Sequence, residues 1–359
     1  MNPRERFNAM MNFKKPDQPY IWTFPIRPAT ISEWEKQGFP KGADPCKIIG
    51  YDWMESLMLA TSHFPEFEKK IVEEKDGHII YIDEEGALRE DAVADQGTGF
   101  VTRKWLKFPV TNREEFIKMT KERYNADDPA RRLENWDEMK AKTKNAQYPV
   151  QLTIQGFFWT IRQWMGFEET CMKFFEDPAL IEEMLDFILE HNIKLAQKHF
   201  GGTEIDMVVI NEDMAYKTAS MISPKLVKQY MVPRYKKLVK VLKEMGVKWV
   251  VIDCDGHISE LIPLWIEAGI EGTMPVEMAA SNDLVGYAKK YPNFRFIGGI
   301  DKRELAKTKA HVEKEVMSKV PFLLERGGYI PAVDHAVPPD VSLENFKYMI
   351  ELVRNIPKK

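Results

Sequence analysis

The sequence predicts an α/β fold in which crossover helices wrap a parallel sheet. Three observations predict it. Short apolar runs alternate with longer amphipathic stretches along most of the chain. The runs are almost continuously apolar, as strands buried on both faces require. Outside residues 65–110 no section of strands alone interrupts the alternation. Seven candidate strands can be read, so a closed (β/α)8 TIM barrel needs an eighth. The run "CKIIGYD" (46–52) is the candidate for it. An open doubly wound sheet is the alternative. Against that, no GxGxxG turn follows the first strand and no P-loop is present.

In chain order, "PYIWTFP" (19–25) reads as the first strand. Residues 65–110 depart from the pattern: "FEKKIVEEKDGHIIYIDEEGALRE" holds two strand-like runs around Asp76-Gly77, a strong hairpin signal. This predicts a small antiparallel insertion. Residues 111–147 are charged and helical in character, a solvated face with no catalytic part. The chain therefore reads as one barrel domain over 1–359, with a hairpin and helical insertion at about 65–147. The next strands are "YPVQLTIQG" (148–156), "EIDMVVINED" (204–213), "KWVVIDCDG" (248–256), "GTMPVE" (272–277), "FRFIGGID" (294–301) and "GGYIPAVDH" (327–335). Between them, Asp177 and Pro178 mark one helix start, and Ser223 and Pro224 another. Pro233 should kink or divide that second helix, which ends at Gly246.

The formal net charge of -4 argues against general nucleic-acid binding, which needs a basic footprint. Cys46, Cys171 and Cys254 are far apart and odd in number, so a disulfide framework is not expected and a reducing cytoplasm is. The first residues lack the apolar core of a signal peptide, and no run is long enough for a membrane span.

In parallel α/β barrels the functional side chains stand at the C-terminal strand ends. Here those ends carry Glu212 and Asp213, Asp253 and Asp255, Glu277, Asp301, and Asp334 and His335. So much negative charge in one mouth calls for a metal, a cationic ligand or raised pKa values. Asp253 and Asp255 share a face, and Cys254 points the other way. Asp253, Asp255, Glu277 and His335 have the donor atoms of a zinc site. Plainer roles compete. Asp255 can cap a helix starting near Ile258, Asp301 can cap "KRELAK", Asp213 can pair with Lys217, and His257 can belong to a helix start. Phe157, Phe158 and Trp159 follow the second barrel strand; they can wall an aromatic substrate or pack helix on barrel.

Several stretches together resemble the uroporphyrinogen decarboxylase superfamily: "NPRERFNAMMNFKKPDQPYIW", "INEDMAYKTASMISPKLVKQYMVPRYKKL", "DGHISELIPLWIEAGIEGTMPVE", "FIGGIDKREL" and "GGYIPAVDHAVPPDVSLENFKYMIELV". The resemblance covers nearly the whole chain and is strongest from residue 204 onward. It implies a single (β/α)8 barrel with its site at the strand C-termini. It also implies one of two chemistries: cofactor-free decarboxylation of tetrapyrrole acetates, or zinc-dependent methyl transfer to or from a corrinoid protein.

Residue matching favours the second. Decarboxylases carry a Met-Arg-Gln-Ala-Gly-Arg stretch after the first strand, whereas this chain has "WTFPIRPAT" with only Arg27. His335 does align with a decarboxylase histidine. Thiol-methylating members place a His-x-Cys pair where Asp253 and Asp255 stand, and a cysteine where His335 stands. A zinc held by oxygen and nitrogen is a harder Lewis acid, suited to an ether oxygen. The resemblance thus implies transfer of a methyl group from a small methylated substrate, such as a methoxylated aromatic, to a corrinoid carried by a partner protein. Glu277, Asp255 and His335 are the first candidates for stabilising the departing oxyanion, by metal or acid, with Asp253 next. Glu212 and Asp213 are candidates for positioning substrate or donating a proton, and Arg27, Tyr216 and Asp301 for touching it. A decarboxylase of another carboxylated substrate is the alternative, and a non-enzymatic carrier of corrinoid or tetrapyrrole a third. The sequence leaves a homodimer open.

Overall fold

Asn2 starts the first helix, Pro3–Met11, by accepting the Glu5 N–H while the Glu5 carboxylate accepts the Asn2 N–H, each at 2.8 Å. This reciprocal cap satisfies two donors that a helix start otherwise leaves open. The computed structural model describes residues 1–57, 59–93, 103–132 and 135–357. Strand β1 (Glu55–Leu57) precedes an antiparallel insertion of β2 (Lys70–Lys75), β3 (His78–Ile82), β4 (Leu88–Ala92) and β5 (Arg103–Lys107). Asp76 and Gly77 join β2 to β3 with φ of 51° and 76°. That is the left-handed pair a two-residue hairpin needs. Residues 94–102 and 133–134 of the expected insertion lie outside the described residues.

Six more strands follow: β6 (Val150–Gln155), β7 (Met207–Asn211), β8 (Trp249–Asp253), β9 (Gly272–Met274), β10 (Arg295–Ile297) and β11 (Tyr329–Ile330). With β1 they form a seven-stranded sheet in the order β1-β6-β7-β8-β9-β10-β11, every pairing parallel. The sheet curls, so its two edges approach. The expected first strand, 19–25, is extended and sits at that seam. Trp22 N–H donates to Pro331 O at 3.1 Å, and Ile21 O accepts the Asp52 N–H at 2.7 Å. It occupies an eighth strand's place without a ladder. The strand sought at 46–52 is not there. Asp44 accepts the Cys46 N–H, Pro45 occupies the first turn, and Pro45–Ile49 is a short helix; the strand comes later, as β1.

Strand alternation sorts the core in two. Leu152, Ile154, Val208, Ile210, Val250 and Ile252 pack under the helices. Met207, Val209, Trp249, Val251, Met274 and Ile297 face the inside of the curl, with Phe7, Met10 and Met11 of the first helix among them. The helix cap at Asp177 forms as expected, over Pro178–His199. Beyond Ser223 the chain makes a short helix (Pro224–Leu226), a π-turn (Val227–Met231) and a longer helix (Val232–Glu244). Pro233 has no N–H for the carbonyl one turn back, so the helix widens there. No described helix is long and apolar enough to cross a membrane.

His191, on Pro178–His199, is buried between Tyr124 (ring centroids 4.9 Å) and Phe187 (6.1 Å), and its Nε2 has no partner. Burial pushes its imidazole down to about 3, and the Arg131 charge acts the same way. The native ring stays neutral while the unfolded one takes a proton below about 6.5. Stability is therefore present above that pH and lost as pH falls toward 3. In urea titrations at pH 7 and 4.5, the wild type should lose on the order of 2 kcal/mol more than His191→Phe. Equal losses would show that His191 is not the acid-sensitive group.

Candidate active site

Glu212 follows β7 and is fully buried. Its carboxylate accepts the N–H groups of Phe157 (2.7 Å) and Trp159 (2.9 Å), and the Tyr235 hydroxyl. It therefore fixes the start of the helix Phe157–Met165, where charge and open donors attract an anion. Burial pushes Glu212 up to about 7, against the pull of Tyr235 and the helix N–H groups. Gly156 allows the approach: a Cβ there would lie 2.5 Å from both Asn211 O and the Glu212 carboxyl carbon. Phe157 and Phe158 consequently point into the helical layer and are buried there, not toward a ligand. Trp159 is half-buried and lines an outer cleft of about 490 Å³ against the antiparallel insertion, beneath the Arg162 guanidinium.

The mouth gathers around Asp255. Its N–H donates to the Asp213 carboxylate at 2.9 Å, and its own carboxylate lies 3.6 Å from His335 Nε2. Burial pushes Asp255 up to about 7, with Asp213 and Glu277 adding repulsion and Lys302 opposing. Glu277 accepts the Gly256 N–H at 3.1 Å and lies 3.6 Å from Lys302 Nζ. Asp334, fully buried, accepts from Met278 N–H (2.9 Å), Lys302 N–H (3.1 Å) and Lys302 Nζ (3.3 Å). His335 stacks on Phe24 with ring centroids 5.6 Å apart. Burial lowers its pKa, and Lys302 and Arg27 push in the same direction, so the ring is neutral at pH 7. Two strand-end residues other than glycine have left-handed backbones, Asp213 (φ 30°) and Val276 (φ 54°). Strained conformations of this kind concentrate at functional sites. Beside these groups Tyr216, Lys217, Gly256 and Glu277 border a hollow of about 310 Å³.

The remaining candidates disperse. Asp253 faces the inside of the curl, and burial raises its pKa well above the usual carboxylate range, with Asp213 and Asp255 adding to it. Asp301 caps Lys302–Leu305 and pairs with Arg303 at 2.7 Å, so it is not free for a substrate. Tyr216 and Arg27 are exposed at the rim. Asp255 caps no helix, because the next one starts only at Ile262. Asp213 meets Asp255 and not Lys217. His257 bonds Ala280 O (2.8 Å) and Ser259 (2.7 Å), a local brace. Cys254 is buried in the helical layer.

Among the described residues no three His, Cys, Asp or Glu side chains converge as ligands for one metal ion. Asp253, Asp255, Glu277 and His335 as placed do not fit a zinc site. Glu277 is turned to Lys302 and Gly256, and Lys302 supplies the cation among the carboxylates. Sequence reasoning missed Lys302, although it follows Asp301 directly at a strand end. It also missed the inward side chains of β6, whose signal is the alternation in "VQLTIQ".

A curled parallel sheet with an acidic mouth at its C-terminal strand ends defines an α/β protein of the barrel type. Residues 131–356 match the family model "Uroporphyrinogen decarboxylase (URO-D)", and the chain belongs to that family. Among solved structures, a methyltransferase from Methanosarcina mazei shares the fold with a TM-score of 0.62 at 13% identity, covering 98% of each chain. A B12-independent methionine synthase from Shewanella sp. W3-18-1, in complex with selenomethionine, gives 0.46 at 11% identity, covering 86% of this chain and 84% of that one. No curated protein matches the sequence.

Glu212→Gln should destabilise the fold by about 2–4 kcal/mol, because its amide would turn an N–H₂ toward donors that need an acceptor. Urea unfolding measures this. An unchanged midpoint would contradict the capping role.

Proposed function

We propose that this chain is a methyltransferase acting on a small methylated substrate, with acid assistance from the mouth. The observation that carries the reading is Asp255, a partly exposed carboxyl group held up to about 7 beside a neutral His335. Such a group is substantially protonated at neutral pH and can act as a general acid. The fold shared with the Methanosarcina mazei methyltransferase supports the reaction class. The acidic surroundings count against a polyanionic substrate such as a tetrapyrrole carboxylate.

A corrinoid carried by a partner protein, docked over the mouth, would supply the nucleophile for the methyl carbon. The bond from that carbon to the leaving oxygen breaks with its electron pair on oxygen. Asp255 gives that oxygen its proton. His335, stacked on Phe24, lies beside the Asp255 carboxyl. Glu277 and Asp213 keep the Asp255 proton bound by repelling a second negative charge. Lys302 limits that effect and stabilises the developing oxyanion.

In a methyl-transfer assay with a corrinoid protein and a methoxylated aromatic, Asp255→Asn should lower kcat about 100-fold. Wild-type kcat should fall as pH rises through 7, where Asp255 loses its proton. His335→Ala should lower kcat less, and Glu277→Ala should shift the pH midpoint downward. Metal analysis and chelation accompany these assays, and strict dependence on stoichiometric zinc would overturn the acid-assisted reading. One observation favours a second reading: Lys302 in the mouth and Arg27 at its rim can hold a carboxylate. Carbon dioxide release without any corrinoid protein would select that decarboxylase.

A further inference from the structure

A strand buried on both faces should be apolar throughout. Strand β6 is not. Its Val150, Leu152 and Ile154 pack under the helices, while Gln151, Thr153 and Gln155 face inward. Thr153 is exposed although it lies in the middle of a barrel strand. The inside of the curl is therefore open beside β6, while Val209 and Val251 at the same level are packed. Gln155 pairs in register with Asn211 on β7, and Asn211 with Asp253 on β8. In a parallel sheet such partners lie side by side on one face, about 5 Å apart. They form a polar row at the C-terminal end of the well. The next partner in the row is Met274, and Ile297, Ala332 and Trp22 continue an apolar wall.

The polar row lacks partners of its own. Gln155 Oε1 is buried with no hydrogen-bond partner, and so is Gln151 Oε1 one layer below, whose amide nitrogen reaches Ser56 at 2.9 Å. Among the described residues no hydrogen bond reaches the side chain of Asn211. Buried acceptors without donors cost stability and persist where something else supplies the donor.

We infer that the inward face of β6, continued by Asn211, is the recognition wall for the polar end of the ligand, and that this end carries hydrogen-bond donors, hydroxyl or N–H. The ligand's apolar body lies against Met274, Ile297 and Trp22. This assignment uses the mouth proposed above but not the methyl-transfer chemistry.

Calorimetric titration of the full chain alone, without a corrinoid protein, tests it. The probes are 2-methoxyphenol and 2-methoxyaniline, which bring an O–H or an N–H donor, 1,2-dimethoxybenzene, which brings none, and tetramethylammonium, a cation without donors. The wild type should bind one of the first two at least tenfold more tightly than dimethoxybenzene. The arm that binds identifies the donor. Gln155→Leu should erase that ratio and leave dimethoxybenzene binding in place. Its ligand-free melting temperature should rise, because an unpaired carbonyl has been replaced by an apolar group. Equal binding of all three aromatic probes, no binding of any, or tighter binding of tetramethylammonium overturns the inference. So does a melting temperature lowered by Gln155→Leu, which would make the amide part of the fold's own bonding. Intact donor preference without methyl transfer in the separate assay would instead sink the proposed reaction and leave this wall standing.

Discussion

Strand β7 is bracketed by two fully buried carboxylates, Asp206 before it and Glu212 after it. A buried charge is tolerated only when it is paired and hydrogen-bonded, so each gathers donors from several elements. Asp206 takes Arg4 Nε (2.8 Å), Lys248 Nζ (2.6 Å) and the Val150 N–H (2.9 Å). That binds the first helix, β6 and β8 at the floor of the curl. Glu212 binds the helix after β6 and the helix carrying Tyr235 at the top. Removing either would leave several donors unpaired at once. The positions of the mouth residues follow from this frame, since Asp213 and Asp255 each lie two residues beyond a strand it holds.

The acidic strand ends therefore divide by solvation. Glu212, Asp301 and Asp334 are saturated by donors and serve the structure. Asp253, Asp255 and Glu277 keep bonding capacity and face open space or one another. Carboxylates of the first kind hold elements together; those of the second can hold protons or ligands. Lys302 sits on the boundary, touching Asp334 on one side and Glu277 on the other. It anchors the loop that carries His335 and sets how much negative charge the mouth retains.

Most of the fold was legible in the sequence because apolar runs and caps are local signals. The parallel strands, the Asp76-Gly77 hairpin, the Asp177 cap and the break at Pro233 all follow from a few adjacent residues. The site was legible only in part. Parity along a strand tells which face a residue takes but not whether donors await it there. Glu212 and Asp255 look alike in sequence, yet one caps a helix that begins 55 residues earlier in the chain. The same long-range bond turned Phe157 and Phe158 away from the mouth. The strand at 46–52 failed for a local reason: Asp44 and Pro45 are a helix start, and their signal outweighs the apolar Ile48 and Ile49.

Membership of the uroporphyrinogen decarboxylase family leaves the chemistry to the side chains present. Here Lys302 lies against Glu277 and Asp334 and sets a positive charge among the strand-end carboxylates. Burial and two acidic neighbours push the Asp255 carboxyl up to about 7. Recognition then falls to a different surface, the alternating β6, which departs from the apolar pattern that its position in the sheet demands. A local departure of that kind weakens the fold, and binding a ligand with donors is the physical way to recover what it loses.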